Sequence, residues 1–179
     1  MILRIDTLMN ALEANRKEND HVVLLSPKGR PYDQKKAREF SLLESLVLVA
    51  GHYEGVDRRF EDHVDEMMSI GDYILTGGEL PAMVAVDSIA RLLKGALREG
   101  ATDDESHENG LLEYPQYTKP VDWRGEKVPA VLLSGNHGEV EKWRRREALL
   151  DTKRLRPDLF EKYELKEEEK RWLEESSSD

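Results

Sequence analysis

Three times in the first ninety or so residues, a short apolar run ends in a glycine-bearing bend and gives way to a stretch with helical spacing. The runs are His21–Leu25 (HVVLL), Leu46–Ala50 (LVLVA) and Ile70–Leu75 (IGDYIL). The stretches that follow them, 33–43, 56–64 and 80–93, read as helices, the last strongly apolar with Pro81 in its first turn. An earlier helix over 3–17 places Leu3, Ile5, Leu8, Met9 and Leu12 on one face. Strands that are apolar throughout need cover on both sides. The alternation therefore predicts a parallel sheet between helices, an α/β fold.

Open parallel sheets bind ligands beyond the carboxyl ends of their strands. Here those ends are the bends Ser26–Gly29, Gly51–Gly55 and Thr76–Pro81. Glycine lets a backbone approach a ligand closely and adopt positive φ. One such glycine can simply cap its strand, but three bends at corresponding ends predict a shared pocket. None is a phosphate loop: GxxxxGK[ST] is absent, and TGGELP is not GxGxxG. GxSxG and HExxH are absent too, so nucleotide hydrolysis, serine hydrolysis and zinc proteolysis lack support.

After Gly95 the character changes. The segment 100–110 (GATDDESHENG) is acidic and turn-rich and reads as a linker, and YPQYTKP and WRGEKVP read as extended and proline-punctuated. Residues 131–133 read as a short strand and 139–155 as a long helix stopped by Pro157. A last helix over 166–175 precedes a serine-rich tail. With 179 residues, 39% hydrophobic and 36% charged, the chain can build one good core and a smaller appendage. The expected division is 1–95 for the sheet domain, 96–114 for an interdomain loop and 115–179 for a small, mainly helical domain.

No apolar run reaches the roughly 18 residues of a membrane span, and the first twenty residues do not resemble a signal peptide. A soluble, cytoplasmic protein with no membrane partner is expected. Zero cysteines and five histidines without metal-ligand spacing make a zinc site an unfavoured reading. The formal net charge of −10 argues against a nucleic-acid partner unless cations cluster locally. They do cluster: KWRRREALLDTKRLR (142–156) carries seven Lys and Arg against Glu147 and Asp151. On composition alone this is equally a solvated helix face or a phosphate-binding one.

Longer motifs go beyond periodicity. LLSPKGRPYDQ (24–34), GHYEGVDRR (51–59), SIGDYILTGGELPAM (69–83), GLLEYPQYTKP (110–120) and VPAVLLSGNHGEVEKWRR (128–145) occur in this order. Together they resemble the successive motifs of bacterial tRNA (guanine-N1-)-methyltransferases, from Met1 to about Leu159. The resemblance implies a deep trefoil knot of the SPOUT type, an exception to the rule against threaded chains. It implies a homodimer with its active site at the subunit interface, S-adenosyl-L-methionine as methyl donor, and a dependence on Mg2+. The implied substrate is guanosine 37 in the anticodon arm of tRNA, methylated at N1.

By the same resemblance the donor is held by Leu25 and Ser26, by Gly51, Tyr53, Glu54 and Gly55, by Ile70, Gly71, Asp72, Tyr73, Ile74 and Leu75, and by Gly77, Gly78 and Pro81. Methyl transfer from a sulfonium is an in-line displacement that needs a proton acceptor for guanine N1 and a cation nearby. Arg91 matches the family's assisting arginine. The family's Asp-Ser-Phe reads Glu-Ser-His here, which puts Glu105 at the position of the base with Asp104 as the alternative. Ser106, His107, Asn136, His137, Lys142, Arg144 and Arg145 fall at tRNA-binding positions. His52 stands where the family often has arginine, and His107 where it has an aromatic that could stack on a base.

The family's sequences begin with roughly sixty further residues, and this chain is expected to lack that segment. Two other readings therefore accompany guanine-N1 methylation: a shortened donor- or tRNA-binding dimeric module that does no chemistry, and a SPOUT methyltransferase acting on another RNA. GLLEYPQYTKP and SGNH favour guanine-N1 over the latter.

Overall fold

Residues 22–25 of the first strand are all buried, and they alternate between two cores. The computed structural model describes residues 1–98, 100, 102 and 104–175. It contains two compact units, Met1–Glu99 and Gly100–Asp179. In the first, β1 (His21–Pro31) lies between β2 (Leu46–Ala50) and β3 (Glu66–Ser69), both parallel to it. Val23 and Leu25 face Ala37 and Phe40 of α2 (Gln34–Ser41) and Ala85 and Ile89 of α3 (Glu79–Ala90). Val22 and Leu24 face Leu12 of α1 (Ile5–Asn15) and Phe60 of a 3-10 turn (Arg58–His63). A strand with successive side chains in opposite cores must be apolar at every position, which is why HVVLL shows no alternation.

The first strand does not stop at Ser26 as the bend SPKG suggests. Leu25 pairs with Met68, residues 26–29 step out of the ladder, and Arg30 pairs with Met68 again before Pro31 reaches Ser69. A Cβ on Gly29 would overlap the backbone of Met67 and Met68, so only glycine lets the excursion rejoin β3. The third strand is Glu66–Ser69, upstream of the expected Ile70–Leu75. Methionine supplies the core contacts there, through Met67 and Met68. Gly71, at φ 153°, then turns the chain out, leaving Tyr73 and Ile74 exposed. The segment 56–64 is a 3-10 turn instead of an α-helix, tightened where the Asp57 carboxylate accepts from the Arg59 N–H at 3.0 Å.

In the second unit a hairpin pairs β4 (Asp122–Trp123) with β5 (Glu126–Lys127). Its two-residue turn needs positive φ twice, supplied by Arg124 (55°) and Gly125 (92°). Residues 131–133 belong to a helix, α4 (Ala130–Leu133), and not to a strand. Pro129 sits at its N-cap, and the Leu132 N–H reaches the Pro129 carbonyl at 3.0 Å, so the apolar run closes on itself. Then come α5 (His137–Leu155), α6 (Pro157–Phe160, with Pro157 at its first turn) and α7 (Glu167–Glu175). Leu111, Ala148 and Leu149 form the core here, covered by Phe160, Tyr163 and Trp172. The serine-rich tail from residue 176 lies outside the described residues.

One ion pair ties this unit together. Glu169, 2% exposed, accepts from Arg145 Nε at 2.9 Å, from the Lys166 N–H at 2.8 Å and from the Tyr163 hydroxyl. Burial pushes its carboxyl upward, but these donors outweigh burial and hold it below the ordinary 4.5. A carboxyl with a depressed folded pKa stabilises the fold above its ordinary value and loses that contribution as pH falls through the depressed one. Glu169→Gln is expected to cost about 2–4 kcal/mol, short of a fully buried pair because Arg145 is 28% exposed. Denaturant titration of both proteins should show the full difference at neutral pH. The gap should narrow only below the ordinary carboxylate range, and a gap independent of pH would contradict this account.

Candidate functional site

The bends after β1, β2 and β3 meet. A cavity of about 280 Å³ is lined by Leu25, Ser26 and Pro27, by Gly51 to Val56, and by Ser69 to Gly71 and Tyr73 to Gly78, with Leu24, Met68 and Pro81 completing it. This is just below the roughly 300–1,000 Å³ typical of small-molecule sites. Every residue expected to hold the donor lines it except Asp72, which is exposed in the 70–77 bend. Leu24, Val56, Met68 and Ser69 also line it, and sequence reasoning had not placed them at the pocket. Ser69 lies within the quoted SIGDYILTGG motif, whereas Met68 precedes it and reads as ordinary core.

Backbone contact fixes the geometry. The Gly78 N–H donates to the Gly51 carbonyl at 2.7 Å, and His52 pairs with Gly77 in an antiparallel bridge. A Cβ on Gly78 would lie 2.7 Å from the Ala50 Cα and 2.9 Å from the Gly51 nitrogen, closer than side chains tolerate. Side chains reinforce the seam: His52 Nδ1 lies 3.1 Å from a Glu79 carboxylate oxygen. The Glu79 carboxyl is held below its ordinary value, first by its own backbone N–H and then by His52. The His52 ring also meets Tyr53 edge-on at 4.8 Å, and Tyr53 holds φ 59°, a conformation that side chains other than glycine's seldom adopt.

Two further anchors frame the cavity. The Ser69 hydroxyl donates to the Gly71 carbonyl at 3.0 Å, and the Gly71 N–H reaches the same hydroxyl oxygen at 3.2 Å, pinning the exit from β3. Downstream of Gly55, Asp57 is lowered to about 2 by the Arg59 guanidinium and then by the Arg59 N–H. The apolar part of the wall includes Leu25, Ile70, Tyr73 and Leu75, and Ser26, His52, Glu54, Ser69 and Thr76 are among its polar residues. Such a site suits a neutral ring system with hydrogen-bonding edges better than a polyanion, because no lysine or arginine lines it.

The remaining expected residues lie elsewhere. Arg91 caps the C-terminus of α3, its N–H donating to the Asp87 carbonyl at 3.3 Å. Glu105 is half-buried on a turn whose N–H reaches the Thr102 carbonyl at 3.2 Å, and Asp104 is exposed beside it. Asp104 lines a second cleft with Tyr114, Arg144 and Arg145. The Ser106 hydroxyl accepts from the Glu113 N–H at 2.9 Å, and His107 takes φ 75°. Asn136 caps α5, with His137 as its first residue. Lys142 pairs with Glu139 at 3.2 Å, Arg144 lies 4.6 Å from the Tyr114 ring centre, and Arg145 is engaged by Glu169.

Fold and cleft define an α/β protein with a ligand-sized site at the carboxyl ends of a parallel sheet. The chain belongs to the tRNA (guanine-1)-methyltransferase family, whose pattern, described as tRNA (Guanine-1)-methyltransferase TrmD, matches residues 1–162. It is similar to the tRNA (guanine-N(1)-)-methyltransferase of Anoxybacillus flavithermus, 49% identical over 97% of this chain and 73% of that protein. The protein of the same name from Ruminiclostridium cellulolyticum is 53% identical over 85% of this chain and 66% of its own length. That of Lactobacillus delbrueckii subsp. bulgaricus is 47% identical over 100% and 73%. The chain thus spans about two thirds to three quarters of these relatives.

Gly78→Ala is expected to weaken S-adenosylmethionine binding at least tenfold by forcing the third bend off the second. Calorimetric titration of the variant checks this. Unchanged affinity would mean that the seam between the bends does not shape the cavity.

Proposed function

We propose that this chain transfers a methyl group from S-adenosylmethionine to N1 of guanosine 37 in tRNA, with the donor in the cavity between the three bends. The observation that carries this reading is the convergence of Ser26, Tyr53 and Gly77 on one cleft, in a family named for this reaction. The cavity fits the donor's adenosine: apolar walls at Leu25, Ile70 and Leu75 beside polar residues such as Ser26 and Ser69, framed by bends that glycines 77 and 78 let pack closely. When bound, the donor supplies an electrophilic methyl carried on a sulfonium sulfur. The chain's own task is to hold the acceptor in line with that methyl and to take the N1 proton.

Glu105 is the proposed proton acceptor, with Asp104 as its neighbour and alternative. A carboxylate takes the N1 proton as the new N–C bond forms and the sulfur–methyl bond breaks, leaving a neutral thioether, and Arg91 is the proposed assisting cation. Among the described residues no three acidic or histidine side chains gather as a metal site. The trefoil knot expected from the family finds support in the first unit's parallel order β2-β1-β3. The excursion at 26–29 and the backbone contact between Gly78 and Ala50 support it as well. Homodimerisation finds support in α3, whose Leu80, Met83 and Val86 are each more than half exposed. The anticodon arm is assigned to the second unit, where Asn136, His137, Lys142 and Arg144 occupy family positions. No described helix is long and apolar enough to cross a membrane.

Purified protein with S-adenosylmethionine is expected to methylate a tRNA transcript carrying guanosines at 36 and 37. Donor binding with methyl incorporation at background would favour a binding module instead. Glu105→Gln should lower turnover by about 10²-fold or more while leaving donor affinity within twofold. If Asp104→Asn does so and Glu105→Gln does not, the base is Asp104. Met83→Glu on the exposed face of α3 should shift sedimentation from dimer to monomer and lower methylation with it.

A further inference from the structure

We propose that a groove in the second unit, built by the 114–119 segment, α4 and α5, is a stacking site for an unpaired nucleobase of the RNA substrate. This inference rests on the tRNA reading above and adds a site to it. The groove, about 500 Å³, is lined by Tyr114, Tyr117, Lys119, Leu133, Trp143 and Arg144 among others. Tyr117 and Trp143 face each other with ring centres 6.1 Å apart and planes tilted by 55°. Tyr117 is 48% exposed and Leu133 57%, so the apolar surface lies open to solvent in this chain.

Charge selects the occupant. The whole chain carries −10, yet the groove's lining includes Lys119 and Arg144 and no aspartate or glutamate. Arg144 lies over the Tyr114 ring at 4.6 Å, and its buried Nε has no hydrogen-bond partner among the described residues. Beyond the groove the hairpin repeats the theme, with the Arg124 guanidinium 4.9 Å from the Trp123 ring centre. Aromatic rings interleaved with cations, on an apolar floor without carboxylates, are the chemistry that holds single-stranded nucleic acid. The rings stack on a base while the cations meet the phosphates. A protein partner of ordinary composition would need no such exclusion of carboxylates.

Steady-state methylation of tRNA at saturating donor tests this with Tyr117→Leu, which keeps apolar bulk but removes the ring. The expected result is a roughly tenfold rise in KM for tRNA, the loss of about one stacked base. Turnover and calorimetric donor affinity should stay near wild type, and Tyr117→Phe should restore KM. Lys119→Ala, at an exposed position, should raise KM more at low salt than at high salt. A Tyr117→Leu KM within twofold of wild type overturns the proposal, even while wild-type methylation upholds the function. So does a Tyr117→Leu protein that is altered only in sedimentation, since the groove would then be a contact between copies of the chain. Wild-type protein that neither binds nor methylates tRNA would overturn the function itself and this site with it.

Discussion

Backbone touching backbone is the constraint on which the first unit depends. At Gly78 the third bend lies against Ala50 and Gly51, and at Gly29 the excursion from β1 lies against Met67 and Met68. Neither contact leaves room for a Cβ, and each binds one strand's exit to its neighbour. These close contacts set how near the bends come to one another around the cavity. The apolar side chains Leu25, Ile70 and Leu75 then supply the area that excludes water.

The strand that carries the site is also the one most deeply buried. Val22 and Val23 are fully buried and Leu24 is nearly so, and they serve opposite cores, so β1 cannot shift by one residue without exchanging the two. That fixed register is transmitted to the pocket, because Leu24 and Leu25, core residues at the end of β1's apolar run, also line the cavity. Packing thus sets where Ser26 and Pro27 emerge, and glycine sets how close the other two bends come.

Much of this was legible in the sequence because apolar runs, caps and glycines act locally. LVLVA is β2 residue for residue, and the helices expected over 33–43 and 139–155 are present as Gln34–Ser41 and His137–Leu155. What misled is equally physical. IGDYIL looks like a strand because its side chains are apolar, yet they are apolar to line a cleft, and the paired segment is the less conspicuous Glu66–Ser69. VLL looks like a strand by β-propensity, but a proline N-cap and a three-residue reach close it into a helical turn. Pocket membership was legible through the motifs. The seam between His52 and Glu79 was not, because it joins two bends separated by 26 residues of intervening chain with no shared periodicity.

The basic helix shows how composition misstates electrostatics. Its cations divide by what they would give up on meeting a phosphate. Lys142 with Glu139 and Arg154 with Asp151 are pairs one helical turn apart in which the cation is exposed, and Arg156 with Asp158 is open to solvent on both sides. Such exposed pairs are worth about 0–1 kcal/mol and can be exchanged for a phosphate at little cost. Arg145 is different: releasing it would strand the nearly buried Glu169 and open the bonds to Tyr163. Counterion release upon RNA binding should therefore come from the exchangeable set. Arg145 would instead hold α5 against α7, fixing the helix on which the other cations ride.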